Sequence, residues 1–415
     1  MRVTKVLSNI LGMKHIVVRG CVFDEEGLVI DVAPSTRIAR CSGCGCRVRR
    51  LYDRRHGRLW RHLDLGGMRV QLRYDVRRVE CSRCGVRTEY VPWAEPESMF
   101  TQPFEEQVAY LAQRMDKTAI VGLMGIAWRT VGSIAERVVK RLLPADRLSG
   151  VRVIGVDELS YRKHHKYVTI ITDHETGKVI WAREGKSAAT LDAFFAELGK
   201  ERCAQLRTVT MDLSQAYIAS VKANAPQAQV VFDRFHVQRL AHDALDQVRR
   251  ALVAKYTDTE QRRALKKTRF VLRKNPDNRS SAERRKVAQI QATNQPLYRA
   301  MLLKDTLAYI LDRRQYYVAR DELTGWLAWA SRSKLAPFVR VARTIRKHLH
   351  GILAYLNTGL SNGRSEGLNG KARVITRRSY GLHSAQSLIA MLFLCCSLPA
   401  LAPVKVLPKS HPLAC

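Results

Sequence analysis

The chain has 415 residues, with 71 Lys and Arg against 37 Asp and Glu, giving a formal net charge of +34. The cations run along the whole length instead of filling one tail, which excludes a globular enzyme with a basic arm and points to a polyanionic partner bound in a salt-dependent way. No apolar signal-peptide core opens the chain and no stretch is long enough to span a bilayer, so no membrane association is expected; the nearest candidate, Leu388 to Leu398, is short and followed by Pro399.

His15 to Phe23 and Leu28 to Val32 are rich in β-branched residues and flank Glu25-Glu26-Gly27, which predicts a hairpin over the first forty residues. Cys41-Ser42-Gly43-Cys44 and Cys81-Ser82-Arg83-Cys84 follow, each with a glycine after it. Four thiolates in two such knuckles form a closed tetrahedral Zn²⁺ site, with Cys46 and His56 or His62 as weaker substitutes. Cys203, Cys395 and Cys396 lie in apolar runs and read as core residues, which fits a reducing compartment. Met68 to Val79 alternates: Val70, Leu72, Tyr74 and Val76 face one way and Arg69, Gln71, Arg73, Asp75 and Arg77 the other. That predicts a strand with a basic outer face, solvated or in contact with DNA, where Arg69 and Arg73 are the contact candidates.

Pro92 to Pro96 reads as a linker. Helical periodicity over 104–113 and 117–124, a turn at Gly125, and a third helix over 128–143 resemble a helix-turn-helix, with a plain helical bundle as the rival. Its third helix would present Arg129, Thr130 and Ser133 to DNA.

From Val151 the texture is α/β. Strands are expected at 151–156, 167–172, 179–183, 208–211 and 230–232, with helices at 191–198 and 215–224. Three strands, helix, strand, helix, strand is the order of an RNase H-like core. The stretch from Leu240 to Tyr355 is helical, charged and without a convincing strand. The expected organisation is therefore α/β plus α: a hairpin and zinc-finger domain (1–99), a helix-turn-helix domain (100–148), an RNase H-like domain in two parts (149–239 and 356–410), and a helical insertion between those parts (240–355).

Asp157 ends Val153-Ile154-Gly155-Val156, Asp212 ends Thr208-Val209-Thr210-Met211, and Glu366 follows the polar stretch Ser361-Asn362-Gly363-Arg364-Ser365. Two strand aspartates and a distant helical glutamate can hold two divalent metals for phosphoryl transfer, the ions lying roughly 3.5–4 Å apart. Glu158 is expected on the opposite strand face, and Asp173 and Glu175 in a solvated turn. Arg373 falls on the Glu366 face of its helix, and Arg377 and Arg378 extend the basic ridge, so Arg373 and Arg377 are phosphate-contact candidates. Trp326 and Trp329 read first as core; the second reading has Trp326 stacking on a flipped base.

Together, Cys41-x-x-Cys44, Cys81-x-x-Cys84, the helices near Thr118 to Val138, Gly155-Val156-Asp157-Glu158, Met211-Asp212-Leu213-Ser214, Asp233-Arg234-Phe235-His236-Val237 and the 361–369 motif resemble bacterial insertion-sequence transposases of the ISL-three family, a DDE class, almost end to end. The resemblance implies Asp157, Asp212 and Glu366 as catalytic triad with Mg²⁺ or Mn²⁺. It also implies double-stranded DNA partners (terminal inverted repeats and target), cleavage and strand transfer, and a homodimer or larger assembly on DNA. Asp233 and His236 match an Asp-x-x-His signature with an expected supporting role. A bacterial cytoplasmic, nucleoid-associated location follows from the same reading. The rivals are a transposase-derived repressor without catalysis and a metal-dependent nuclease without strand transfer.

Overall fold

The computed structural model describes residues 2–162, 166–360, 363–379 and 384–404. The chain divides into two compact units, Met1–Pro144 with Arg373–Cys415, and Ala145–Ala372.

The first unit opens on a helix that the hairpin expectation omits, α1 (Val3–Leu11), whose Leu7 and Leu11 enter a core with Ile16, Ile30, Trp60, Leu72 and Trp93. Its strands are β1 (Ile16–Asp24), β2 (Gly27–Pro34), β3 (Ala39–Arg40), β4 (Arg47–Val48), β5 (Leu51–Leu65), β6 (Met68–Cys81) and β7 (Gly85–Thr88). The main sheet runs β1-β2-β6-β5, with β7 also on β6 and β3 paired to β4. The expected alternation of β6 holds: Val70, Leu72 and Val76 are at most 1% exposed. Gly27 sits at φ 139°, and a Cβ there would lie 2.3 Å from the Arg69 carbonyl oxygen, so β2 meets β6 closely only through glycine.

Residues 92–96 are not a linker. Trp93 is 1% exposed and packs edge-on against Trp60 (5.5 Å) and Tyr74 (5.6 Å). The flanking prolines punctuate a core segment, because burying one indole outweighs the local turn signal.

Helices α2 (Gln102–Ala112), α3 (Lys117–Met124) and α4 (Trp128–Leu142) follow, the last two bent by 97° across a left-handed Gly125. Glu105 is fully buried and ties them together, accepting from Ser98 Oγ (2.8 Å) and Arg137 Nε (2.6 Å). The helix Ala385–Cys396 packs on α4 in this unit, whereas the sequence groups it with the catalytic sheet. It is apolar on nearly every side and needs burial all round. Ser387 Oγ donates to Glu136 Oε1 of α4 at 2.9 Å. Among the described residues no single helix is long and apolar enough to cross a membrane.

In the second unit β8 (Val153–Arg162), β9 (Lys166–Asp173), β10 (Val179–Glu184), β11 (Thr208–Met211) and β12 (Gln229–Phe232) form one sheet ordered β10-β9-β8-β11-β12. The first three pair antiparallel, while β11 is parallel to both β8 and β12. Connections run through α5 (Ala188–Leu198), α6 (Lys200–Cys203) and α7 (Gln215–Asn224). The turn acid Asp173 is 7% exposed, not solvated; it accepts from Glu175 N, Thr176 N and Thr176 Oγ1.

The helical stretch comprises α8 (Arg234–Lys255), α9 (Thr259–Lys267), α10 (Arg269–Arg273), α11 (Ser281–Thr293), α12 (Gln295–Leu311), α13 (Tyr316–Arg332), α14 (Ala336–Lys347) and α15 (Leu349–Thr358), followed by α16 (Gly363–Arg378). Its core is continuous with that of the sheet. At Gly351 a Cβ would stand 2.4 Å from the Phe232 ring, so α15 approaches β12 through a glycine. Trp326 is 2% exposed and donates from Nε1 to the Leu303 carbonyl at 2.8 Å. It is a core residue with its one polar atom satisfied, which rules out the base-stacking reading.

This packing sets the stability of two positions. Trp326→Ala should cost about 3–5 kcal/mol in urea unfolding while leaving DNA affinity of the folded chain unchanged. His242 Nδ1 is buried without a hydrogen-bond partner, and burial first, then the Lys304 and Arg273 charges, lower its pKa to about 4. The unfolded chain, with histidine near 6.5, then takes up the proton first, so stability is lost as pH falls from about 6.5 towards 4. His242→Gln should flatten that acid limb in melting curves followed by circular dichroism.

Candidate active site and zinc centre

The β8–β11 ladder pairs Val153 with Thr208, Ile154 with Val209 and Gly155 with Thr210, and the β11–β12 ladder ends at Met211 with Phe232. Continued by two residues and by one, these registers set Asp157, Asp212 and Asp233 level on three neighbouring strands. Strand interiors are sealed, with Ile154, Val156, Val209, Met211, Val231 and Phe232 at most 1% exposed. Asp212 and Asp233 follow the last residues of β11 and β12, whereas Asp157 lies within β8, just beyond its parallel pairing with β11, where β8 runs on antiparallel to β9 as far as Arg162.

Each aspartate has one oxygen held by a backbone amide. Asp157 Oδ1 accepts from Glu158 N (2.7 Å), Asp212 Oδ1 from Ser214 N (3.0 Å), and Asp233 Oδ1 from Phe235 N (3.2 Å), where it caps α8. Asp233 is 3% exposed, and burial first, with the Asp212 charge adding to it, raises its pKa.

Glu158, which the sequence places on the strand face opposite Asp157, was not singled out there as a functional residue. It is half-buried and bonded to the Tyr217 hydroxyl of α7, which also bonds Thr169 Oγ1 at 2.8 Å. Burial raises its pKa first, the Tyr217 bond opposes this, and the Asp212 and Asp157 charges raise it further. The one signal in the chain was its adjacency to Asp157; nothing along the strand hints at the phenol opposite. Two carboxyls thus register the negative charge of Asp212, after the larger effect of burial.

Glu366 lies on α16 by its backbone, but its side chain falls outside the described residues, as do those of Asn369, His164 and His165.

Among the described residues, the one group of three or more His, Cys, Asp or Glu side chains that converges on a possible metal position is Cys41, Cys44, Cys81 and Cys84, with all four sulfurs within 4.8 Å of one another. Each knuckle is a hairpin turn: the first joins β3 to β4, the second β6 to β7. Gly45 and Gly85 turn the chain at φ 72° and 69°. A Cβ on Gly43 would stand 3.3 Å from Cys84 Sγ, so the cradle closes around the sulfurs with no room for a side chain. Amides of Arg83 and Cys84 lower the Cys81 thiol to about 7, while the Cys44 sulfur, burial and the Cys41 sulfur push Cys84 up to about 12. Four sulfurs this close ionise together only around a cation, and soft thiolates in a tetrahedral set select zinc. His56 and His62 are engaged elsewhere, with Asp75 (2.9 Å) and Thr101 (2.8 Å).

A buried ion pair anchors the knuckles to the sheet. Glu89, 3% exposed and bridged to Cys41, accepts from Tyr74 Oη, Arg77 N, Arg77 Nε and Arg77 Nη2 at 2.6–2.9 Å. The outer face of β6 is therefore largely paired: Arg73 also makes a bidentate contact with Asp31 (2.6 and 3.0 Å), and Arg69 lies 3.7 Å from Glu26. Arg129 and Ser133 are exposed at the start of α4 and Thr130 is half-buried; Arg373 and Arg377 are exposed on α16.

One metal per chain should be found by elemental analysis, lost on Cys81→Ser together with the cooperative unfolding of the first unit. Glu89→Ala, by stranding Arg77, should cost about 3–5 kcal/mol and speed chelator-driven zinc loss, read with a colorimetric zinc indicator.

Known families and proteins match the chain over most of its length. Residues 154–392 match the ISL3 family of DDE transposases, described as transposase, and residues 37–84 match the zinc-finger of transposase IS204/IS1001/IS1096/IS1165. The chain is 36% identical over 429 residues to the transposase for insertion sequence element IS1557 of Mycobacterium tuberculosis, covering 95% of this chain and 96% of that protein. It is 28% identical over 357 residues to the transposase for insertion sequence element IS1001 of Bordetella parapertussis, covering 85% and 88%. The zinc-finger match spans all four cysteines and identifies their cluster as a Zn²⁺ site, and the transposase match implies a divalent metal such as Mg²⁺. The chain belongs to the ISL3 family of insertion-sequence transposases.

Proposed function

We propose that the chain is an active transposase that binds the terminal inverted repeats of its element, cuts at the element ends and joins them to target DNA. Asp157, Asp212 and Glu366 would be its catalytic carboxylates. The observation that carries this reading is the common level of Asp157 and Asp212 on adjacent strands, reached by continuing the parallel register of β8 and β11 by two residues. The sheet order β10-β9-β8-β11-β12, antiparallel then parallel, supports an RNase H-like core. The 97° bend between α3 and α4 across Gly125 supports a helix-turn-helix, with Arg129, Thr130 and Ser133 at its DNA-facing end. Arg373, Arg377 and Arg69 are further phosphate contacts in this reading; Arg73 serves Asp31 first.

Asp157 and Asp212 would hold Mg²⁺ or Mn²⁺ from adjacent strands, each oriented by the amide that already binds one of its oxygens, and the metal would supply Lewis-acid activation for phosphoryl transfer. Tyr217 fixes Glu158, which keeps its proton more readily than an ordinary glutamate and so adds less negative charge beside the pair. Two element ends must meet for joining, so the working form is a homodimer or larger assembly on DNA, in the cytoplasm at the nucleoid.

The test is a strand-transfer assay with purified chain, a labelled element end, a target plasmid and Mg²⁺. Asp157→Asn, Asp212→Asn and Glu366→Gln should each reduce joined product by more than about a hundredfold while end binding persists. Cleavage without joining in the wild type would indicate a nuclease; end binding with no reaction, across several divalent metals, would indicate a DNA-binding repressor.

A further inference from the structure

Helices α9 and α10 carry a surface that none of the sites above uses. Thr268 joins them with φ −77° and ψ −15°, so the right-handed helical phase runs on from one to the other. Leu265 and Thr268 are half-buried, and Val271 and Leu272 are 6% and 1% exposed, which defines the inner side. The outer side holds Arg262, Arg263, Lys266, Lys267, Phe270 and Arg273, all exposed. Their spacings of three and four place them in one stripe.

The stripe is cationic and unneutralised. Residues 255–274 contain eight Lys and Arg against two acids, Asp258 and Glu260. Both acids sit at the start of α9, where Asp258 caps the Glu260 amide at 2.9 Å and the helix dipole favours them. Neighbouring Arg269 and Lys274 pair with Asp246 and Glu283, but among the described residues none of Arg262, Arg263, Lys266, Lys267 and Arg273 is in an ion pair. In the middle stands Phe270, 74% exposed, more than any other large apolar side chain among the described residues; the Arg269 guanidinium is 5.9 Å from its ring centroid. Its ring gives the cationic stripe an apolar platform set among unpaired charges.

We propose that this ridge is a further DNA-binding surface, on which Arg262, Arg263, Lys266 and Lys267 track the phosphates of a strand and Phe270 stacks on an unpaired base. A second copy of the chain is a poor occupant, because its net charge is +34. Smooth duplex would engage the cations but leave the ring in water, whereas a basic track with an aromatic platform is the chemistry that holds unpaired strands. The inference rests on the transposase reading, whose cutting and joining steps open the duplex at an element end.

Fluorescence anisotropy on the full chain, without added divalent metal, tests it with two labelled DNAs: a blunt duplex, and the same duplex with a 3′ single-stranded tail of about ten nucleotides. Arg262→Gln/Arg263→Gln/Lys266→Gln/Lys267→Gln should weaken binding to tailed DNA by about tenfold or more and flatten its salt dependence by roughly 0.7 in log–log slope for each phosphate no longer engaged. Phe270→Ala should weaken binding to tailed DNA by about fivefold or more, spare the blunt duplex, and be rescued by Phe270→Trp. All these positions are exposed, so the variants keep the wild-type melting curve. Wild-type affinity and slope in the quadruple variant would overturn the ridge, and a Phe270→Ala effect that is absent or equal on both DNAs would overturn the stacking. If the wild type bound neither DNA, the transposase reading itself would fall; binding that ignores every ridge variant overturns the ridge alone.

Discussion

Parallel strands in register carry no choice about where their ends fall. With Thr208 paired to Val153 on one side and to Gln229 on the other, the same registers carried on bring Asp157, Asp212 and Asp233 to one level across the sheet. Everything around that edge follows from keeping the ladder intact. A parallel sheet needs both faces covered, so helices crowd it, and at Gly351 the backbone of α15 lies against the Phe232 ring. Burial raises the pKa of Glu158 and of Asp233, and the Asp212 charge adds to it in both. In the proposed reading a divalent cation would offset that charge, and the net charge of +34 would meet the phosphates of DNA.

The first unit solves a different problem. Its hairpin turns around the cysteines have little core of their own, and Cys44 is exposed. Metal–thiolate bonds substitute for burial there, and the Glu89 network transmits that order to β6 through Arg77 and Tyr74. Glu89 is a costly residue to bury alone, but here it accepts four hydrogen bonds and loses little. The arginines of β6 therefore read differently in the structure than in the sequence: Arg73 and Arg77 hold the sheet together before they can hold DNA. The ridge on α9 and α10 is the converse case, since its cations have no acids to hold.

How much was legible beforehand depended on whether the signal was local. The knuckles, the strand before Asp212 and the α3–Gly125–α4 turn are written in spacing and apolar runs, and each appears within a few residues of its expected place; the strand carrying Asp157 is there too but runs on to Arg162, past the expected end at Val156. The long, arginine-rich β5 was not legible, because only Trp60 and His62 on it are buried and its pairing with β6 supplies what its pattern lacks. Trp93 was misread in the same way, and the base-stacking alternative for Trp326 falls where its core reading holds: what decides an indole's fate is the partner across the core, invisible in one dimension. Glu158 failed for a related reason, since alternation along a strand names a face and not the Tyr217 that comes to meet it. The helix Ala385–Cys396 shows the limit at the level of domains, because apolarity requires burial without naming the surface that supplies it.

The most direct test of the metal-carboxylate account is a structure of the chain on element-end DNA grown with Mn²⁺, with anomalous scattering used to place the ions. Anomalous peaks between the carboxylates of Asp157 and Asp212, with Glu366 completing their coordination and a DNA phosphate bridging them, are the predicted result. Peaks elsewhere, or a Glu366 remote from two aspartates that bind no ion, would contradict it.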